Sequence, residues 1–365
     1  MRVLVANAGS SSLKLRVVDE ADEVVARAEV PAVERLPPPD ELAGILAELA
    51  PYGAVGHRVV HGGEEFRGPV VLDAATRARI EGLTPLAPLH QPRTLAALDA
   101  VTRAAPEVPA VACFDTSFHA TLPPEASTYA LPREWREDLG IRRYGFHGLS
   151  HEYAAGRAVA MGARPGRIVV CHLGAGASLC AVRDGRSIDT TMGFTPLEGL
   201  VMATRSGSVD PGAVLWLVTE AGLDPADVAD TLSHRSGVAG LAGTPGLGDV
   251  VRRAAAGDGD ATLALGVVDH RLRGAIAAMV ASLGGLDALV FTGGVGENEP
   301  AVRAAAAGGL GFLGVVIDAR ANARAEPDAD VTGAGSAVRV LVVAAREEVT
   351  IARGVRQVLG HAAPR

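Results

Sequence analysis

One supersecondary pattern occurs twice in this chain, and a duplication of that kind limits the fold more than any single motif does. Residues 3–5 read as a strand, Asn7-Ala8-Gly9-Ser10-Ser11-Ser12 as a polar glycine-bearing loop, and residues 13–18, with alternating side chains, as a second strand. Residues 168–172, the loop Gly174-Ala175-Gly176-Ala177-Ser178 and residues 179–183 repeat strand, loop and strand. Superposing Ser12-Leu13 on Ser178-Leu179 lays Val3 over Val169 and Val18 over Asp184. In 365 residues, more than one ordinary domain, two such copies predict two similarly folded lobes.

Further elements follow from periodicity and punctuation. A helix is expected over 41–50, with Leu42, Ile45, Leu46 and Leu49 on one face behind an Asp40 N-cap. Strands are expected at 54–60 and 108–114. A long helix over 261–283 stops at Gly284-Gly285 and feeds a buried strand at 288–292. The loop Gly293-Gly294-Val295-Gly296-Glu297-Asn298 then leads to a helix that opens with Pro300, a residue allowed in a first turn. A strand at 338–344 and a helix at 347–359 end the pattern.

Composition narrows the function classes. Lysine and arginine number 34 against 42 acidic residues, a net charge of −8, so no basic footprint for nucleic acid is present. Cys113, Cys171 and Cys180 form neither a disulfide framework nor a cysteine zinc site, which fits a reducing compartment. The apolar stretch 275–291 is broken by Gly284, Gly285 and Asp287, so no membrane span is expected, and residues 1–14 lack the apolar core of a signal peptide. The expectation is a cytoplasmic protein. Lys14 is the one lysine beside 33 arginines, and a compact ammonium suits a phosphate contact made as a point charge; chance survival explains it equally well. Because Leu15 follows Lys14, the chain has no P-loop there.

Three loops, 7–12, 172–178 and 293–298, are rich in glycine and small hydroxyl residues. Such loops bring backbone N–H groups close to phosphate oxygens; the plainer reading of each is a tight turn. A G-x-G-x-x-G at 309–314 follows a helix and precedes a strand, the reverse of a dinucleotide-binding context, and reads as structural. His57, His61, His90, His119, His147 and His151 gather at other loops without a metalloprotease spacing, so packing or substrate contact outweighs metal ligation. Asp115 and Glu347, at strand ends, are better candidates for Mg²⁺, which takes one or two carboxylates plus phosphate and water oxygens. Arg58 and Arg205, beside glycine turns, carry the charge that phosphoryl transfer needs, unless Arg205 pairs with Asp210.

Six segments carry a resemblance. Asn-Ala-Gly-Ser-Ser-Ser-Leu-Lys at 7–14, Gly-His-Arg-Val-Val-His-Gly-Gly at 56–63, Phe-Asp-Thr-Ser-Phe-His at 114–119, Arg-Tyr-Gly-Phe-His-Gly at 143–148, Met-Gly-Phe-Thr-Pro-Leu-Glu-Gly at 192–199 and Phe-Thr-Gly-Gly-Val-Gly-Glu-Asn at 291–298 together resemble the acetate kinase family, in order and over nearly the whole chain. That family belongs to the acetate and sugar kinase, Hsc70 and actin superfamily. The resemblance implies an α/β fold of two ribonuclease-H-like lobes, each with a βββαβαβα core, and an active-site cleft between them. It implies a first lobe of 1–118 plus 348–365 and a second of 119–347. It further implies phosphoryl transfer from ATP to acetate, with Mg²⁺ or Mn²⁺, in a homodimer that binds neither nucleic acid nor membrane. Propionate or another short acyl acceptor, or a weakly catalytic sensor of acyl phosphate or nucleotide, are the alternatives.

By that resemblance Asn7 and Glu347 hold the metal, and Lys14, Ser10 and Ser12 meet the nucleotide phosphates together with His172, Gly174, Gly176, Gly294, Gly296, Glu297 and Asn298. Arg58 holds the substrate carboxylate, Asp115 is the essential acidic residue, and His147 and Arg205 stabilise the transition state. Val60, Leu89, Phe146 and Pro196 form the acyl pocket, with His90 beside it. Three departures stand out: Ala175 where the family has Asn, a stretch 243–249 without the family's adenine-flanking Asp and Arg, and a short region between Asp19 and Gly56.

Overall fold

A computed structural model describes residues 1–9, 12–31, 37–88 and 90–362. Two of the site residues named above, Ser10 and Leu89, lie outside the described residues. The chain divides into two compact units, one of Met1–Ala120, Phe146–Tyr153 and Arg346–Arg365, the other of Thr121–Gly145 and Ala154–Ala345. The short segment Phe146–Tyr153 thus groups with the first unit, not with the residues on either side of it.

The first unit holds a six-stranded sheet in the order β3-β2-β1-β4-β6-β5, built from Val3–Ala8 (β1), Ser12–Val18 (β2), Val24–Pro31 (β3), Ala54–Val59 (β4), Val70–Val71 (β5) and Ala110–Phe114 (β6). β1, β2 and β3 form an antiparallel meander, and β1, β4 and β6 run parallel. Alternation along β1 separates two cores. Leu4 and Ala6 pack with Leu13, Leu15, Leu42, Leu46 and Val101 beneath the helices Pro39–Glu48 and Gln91–Ala104. Val3 and Val5 pack on the opposite face with Val111, Cys113, Ile351 and Val355 of the helix Glu347–Ala362. That helix lies so close to β4 that a Cβ on Gly56 would stand 2.5 Å from Ile351 and 2.8 Å from Val355.

The second unit repeats the plan. Its strands are Arg167–Leu173 (β7), Ala177–Arg183 (β8), Arg186–Thr190 (β9), Ala288–Thr292 (β10), Ala329–Asp330 (β11) and Arg339–Val342 (β12), in the order β11-β12-β10-β7-β8-β9. Again three strands form an antiparallel meander, and β7, β10 and β12 run parallel. The fold is α/β with two ribonuclease-H-like lobes, as expected.

Several local expectations are corrected. The helix expected behind Asp40 begins at Pro39, with Pro38 at its cap and no side-chain cap bond, because proline supplies the helical φ and needs no donor there. Residues 293–298 form a short helix, Gly293–Asn298, not a loop. The last ladder pair of the first hairpin is Ala8 with Leu13, and of the second Leu173 with Ala177. Equating those pairs lays Lys14 over Ser178 and Val3 over Ile168, so the superposition of Ser12 on Ser178 is out of register by two residues on the second strand and by one on the first. The first loop is one residue longer than the second, so no single offset aligns both strands. No helix among the described residues is long and apolar enough to cross a membrane.

Candidate functional site

In open α/β sheets ligands bind beyond the carboxyl ends of the parallel strands. At that edge of the first sheet stand Asn7 on β1, Arg58 on β4 and Asp115 immediately after β6, with Glu347 opening the helix packed on the same face. Arg58 donates from Nε to Asp115 Oδ1 and Oδ2 at 3.0 and 3.1 Å and from Nη2 to Oδ2 at 2.6 Å. Its Nη1 donates to Asn7 Oδ1 at 3.1 Å and lies 3.8 Å from Glu347 Oε2. Asn7 Nδ2 donates to the same Glu347 oxygen at 3.2 Å. Four side chains distant in sequence therefore share one network.

The electrostatics follow from one guanidinium set against two carboxylates. Burial alone would lower the Arg58 pKa, but Asp115 and Glu347 together raise it above its ordinary value, so Arg58 stays charged. Burial raises the Asp115 pKa against the pull of Arg58, and the charge on Glu347 adds to the rise. Lys14 is exposed and stands opposite Asn7 in the ladder, and Glu29 faces it from β3. The Ser12 hydroxyl is occupied, donating to Glu29 at 2.6 Å.

His147 has φ +56, a left-handed conformation rare for a non-glycine residue, and caps the helix Gly148–Ala160 through its carbonyl, which accepts from Ser150 and His151. Gly148 donates to the Asp115 carbonyl at 2.8 Å, and a Cβ at Gly148 would collide with that carbonyl, so the turn carrying His147 is locked to the turn carrying Asp115. Phe146 is buried, its ring meeting His61 edge-on at 5.5 Å, and its carbonyl accepts from His119 Nε2 at 3.0 Å. His61, outside the expected site, accepts from Gly63 N–H at Nδ1 and so carries its proton on Nε2. Its place directly before Gly62-Gly63 was the signal. Val60 and His90 are half-buried.

The remaining expected residues lie in the second unit. At the carboxyl end of β7 the turn Gly174–Gly176 is closed by Gly174 N–H to Gly176 O at 3.0 Å, and the Ala175 carbonyl accepts from Ala203. His172 stands in register with Ser178 on one side and Thr292 on the other. Gly294 and Gly296 lie in the helix Gly293–Asn298, whose entry needs glycine: Gly293 has φ +80, and a Cβ there would stand 2.7 Å from Leu173 O. Glu297 and Asn298 spend their side chains on this unit, Glu297 accepting from Ala345 N–H and Asn298 donating to Gly294 O.

Arg205 donates to Pro196 O at 3.2 Å. Among the described residues it pairs with no carboxylate, and Asp210 instead caps the helix Pro211–Thr219, so the alternative pairing is overturned. Burial lowers the Arg205 pKa. Beside the Gly174–Gly176 turn opens a cavity of about 360 Å³ whose lining includes Leu173, Ala175, Val201, Val268 and Leu272. Pro245 and Leu247, from the divergent stretch 243–249, also line it.

The acetokinase family matches residues 39–353. An acetate kinase of Leifsonia xyli subsp. xyli is 46% identical, the match covering 97% of this chain and 98% of the relative. The crystal structure of Porphyromonas gingivalis acetate kinase aligns with a TM-score of 0.89 at 34% identity, over 98% of this chain and 99% of that one. A propionate kinase of Francisella tularensis subsp. tularensis aligns equally well, with a TM-score of 0.89 at 34% identity over 97% and 98%. With its duplicated sheet and the six motifs in order, the chain belongs to the acetokinase family, whose members are ATP-using kinases.

Proposed function

We propose that this kinase transfers the terminal phosphoryl group of ATP reversibly to acetate, giving acetyl phosphate and ADP. A carboxylate oxygen attacks the γ-phosphorus while the bond from that phosphorus to the β,γ-bridging oxygen breaks. Because acetate is already ionised at neutral pH, the acceptor needs no general base, and the protein's work is positioning and charge neutralisation.

The network centred on Arg58 carries this reading. Asp115 takes Nε and one Nη2 hydrogen and Asn7 takes one Nη1 hydrogen, which leaves one N–H on each Nη to donate to a carboxylate. Asp115 thus orients Arg58 and is not itself a base. Arg205, a cation without a carboxylate, supplies charge for the equatorial phosphoryl oxygens, and His147 supports the same state. The cavity beside Ala175 suits the nucleotide base, and the glycine turn at 174–176 suits its phosphates.

The residues present fit Mg²⁺ or Mn²⁺. Asn7 and Glu347 offer hard oxygens beside a network whose charges sum to −1, and no group of three or more metal-ligating side chains converges among the described residues. That donor set suits an ion completed by phosphate and water oxygens. When bound, the ion would neutralise charge on the donor phosphates.

Purified protein with ATP, Mg²⁺, acetate and hydroxylamine is expected to form acetohydroxamate; no product with ATP, other nucleoside triphosphates or pyrophosphate would overturn the proposal. Propionate is expected to be a poorer but real substrate, since one methylene is worth about 1–3 kcal/mol of discrimination. Equal kcat/KM for the two acids would reassign the acceptor. Three buried free thiols support a reducing, cytoplasmic setting. Leu215 and Trp216, exposed on the helix Pro211–Thr219, support a homodimer, which a monomeric mass by light scattering would exclude.

A further inference from the structure

The motif at 192–199 contributes only Pro196 to the site described so far, yet several side chains pin it. Glu198 Oε1 accepts from Arg143 Nη2 at 2.8 Å, and Oε2 accepts from the Tyr129 hydroxyl. Arg143 Nη1 donates to Thr191 O and Met192 O at 3.2 and 3.0 Å, and its guanidinium stands over the Tyr129 ring at 5.5 Å. The Tyr129 oxygen also accepts from Phe194 N–H at 3.0 Å. The Glu198 and Tyr129 side chains close on Gly193, where a Cβ would overlap both the carboxylate and the hydroxyl.

Both ends of this loop hold something the reaction uses. The Gly193 carbonyl accepts from Tyr144 N–H at 3.0 Å and Gly145 N–H at 3.3 Å, the two residues that lead directly into Phe146-His147. The Pro196 carbonyl accepts from Arg205, which no carboxylate fixes. Downstream, Gly199 and Ser208 exchange bonds, Gly199 N–H to Ser208 Oγ at 3.0 Å and Ser208 N–H to Gly199 O at 2.9 Å, which closes the loop around Arg205. Glu198 is about one-third exposed, and an isolated ion pair at that exposure adds little stability. What its two oxygens do supply is a fixed geometry, one from an arginine and one from a tyrosine, on either side of a glycine.

We propose that residues 192–199 act as a strap, pinned by Glu198, that sets the position of Arg205 and of the backbone entering Phe146-His147. Glu198 is then a positioning residue for phosphoryl transfer, acting through Arg143 and Tyr129 and touching no substrate. The inference rests on the proposed reaction.

The test compares Glu198→Ala, Glu198→Gln and Tyr129→Phe with the wild type in the acetohydroxamate assay and by amide hydrogen exchange. A misplacement of about 1 Å costs up to about 100-fold in rate, so Glu198→Ala is expected to lose about 30- to 100-fold in kcat. KM for acetate and for ATP should each move less than about threefold, because the loss falls on the transition state. Gln, which keeps an acceptor for Arg143, should recover part of the rate, and Tyr129→Phe, which removes one oxygen, should lose less than Ala. The Tyr144 and Gly145 amides should exchange faster in Glu198→Ala. Wild-type kcat in that variant, a rate loss no larger than the loss of folded protein by circular dichroism, or unchanged exchange at Tyr144 and Gly145 would overturn the strap. A wild type inactive in the assay would overturn the reaction instead, and the exchange measurement would still decide whether Glu198 pins the loop.

Discussion

The two sheets share strand order and crossovers but present different chemistry at equivalent positions. Across the carboxyl ends of the first, Lys14 stands opposite Asn7, and Arg58 follows one residue beyond the Ala6–His57 pair. Across the second, the corresponding row is Ser178, His172 and Thr292. The first copy then adds Asp115 and Glu347 to make a charged network; the second adds a glycine turn and a cavity lined by leucine, valine and alanine. A duplicated scaffold therefore leaves each copy free to carry different chemistry at the same row.

The largest test of that division removes charge from the first row. Arg58→Ala is expected to cost at least about 100- to 1,000-fold in kcat, the loss typical of one preorganised donor to a developing charge. Arg58→Lys should recover little, because an ammonium cannot hold Asp115 with one edge and present a fork with the other. Near-wild-type turnover in either variant, measured by acetohydroxamate formation, would show that the charged row is architectural.

Arg205→Ala tests the second unit in the same assay, with an expected loss of about 100-fold in kcat. Arg205 has no carboxylate partner, so its removal strands no buried anion, and the thermal midpoint should hold. Arg58→Ala leaves Asp115 buried without its guanidinium and should lower that midpoint as well. Equal midpoints for the two variants would erase the contrast between a paired and an unpaired arginine.

How much of this was legible in the sequence depends on the kind of signal. The duplication was readable because hydrophobic alternation marks strands wherever a sheet is half-buried, and the parallel β6 and β10 showed as short apolar runs. The third meander strands were missed. β3 alternates in burial, but its inner face is mostly small and half-buried, with Ala26 and Ala28 between the exposed Val25, Arg27 and Glu29, and β9 is five residues of mixed polarity. Arg58, Asp115, Asn7 and Glu347 were all named, yet nothing in their spacing brings them together; the parallel crossovers do. Glu198 sat in a quoted motif and was passed over, because its partners Tyr129 and Arg143 precede it by more than fifty residues and no period links them.

Acid offers a smaller effect that again separates the units. His57 and His61 are buried in the first, and burial pushes both down to about 4, with Asp99 partly opposing the shift at His57. Both are neutral in the fold at pH 5 while the unfolded chain protonates them near 6.5. Stability from these groups is complete above about pH 6.5 and falls toward pH 4 by up to about 1.4 kcal/mol per pH unit for each. The second unit leaves His234 and His270 exposed. Amides of β4 and β6 should therefore lose protection between pH 7 and pH 5 more than those of β7 and β10. Asp115, Glu152 and Glu348, whose pKa values burial raises, work against this slope, so the decisive comparison is wild type with His57→Gln. Identical slopes would return His57 to a role without linkage.

The smallest expected effect lies at Ala175, where the resemblance implies Asn. The residue is exposed, its backbone is held on one side by the Gly174–Gly176 closure and on the other by Ala203, and it lines the cavity. Asn should therefore fit without moving the turn and add a donor beside the place proposed for the donor phosphates. A hydrogen bond to a charged group is worth about 1.5–3 kcal/mol, of which an exposed site returns the lower end, so Ala175→Asn should lower the KM for ATP about tenfold and leave that for acetate unchanged. With Pro245 and Leu247 lining the cavity proposed for the base, the wild type should also separate ATP from GTP poorly, since an apolar wall reads ring area and not exocyclic groups. An ATP and GTP series on both proteins checks the two statements together. Strong adenine selectivity in the wild type would mean that backbone groups of 243–249 read the base. An unchanged KM in Ala175→Asn would place the phosphates away from the turn and break the assignment of the second row to the nucleotide.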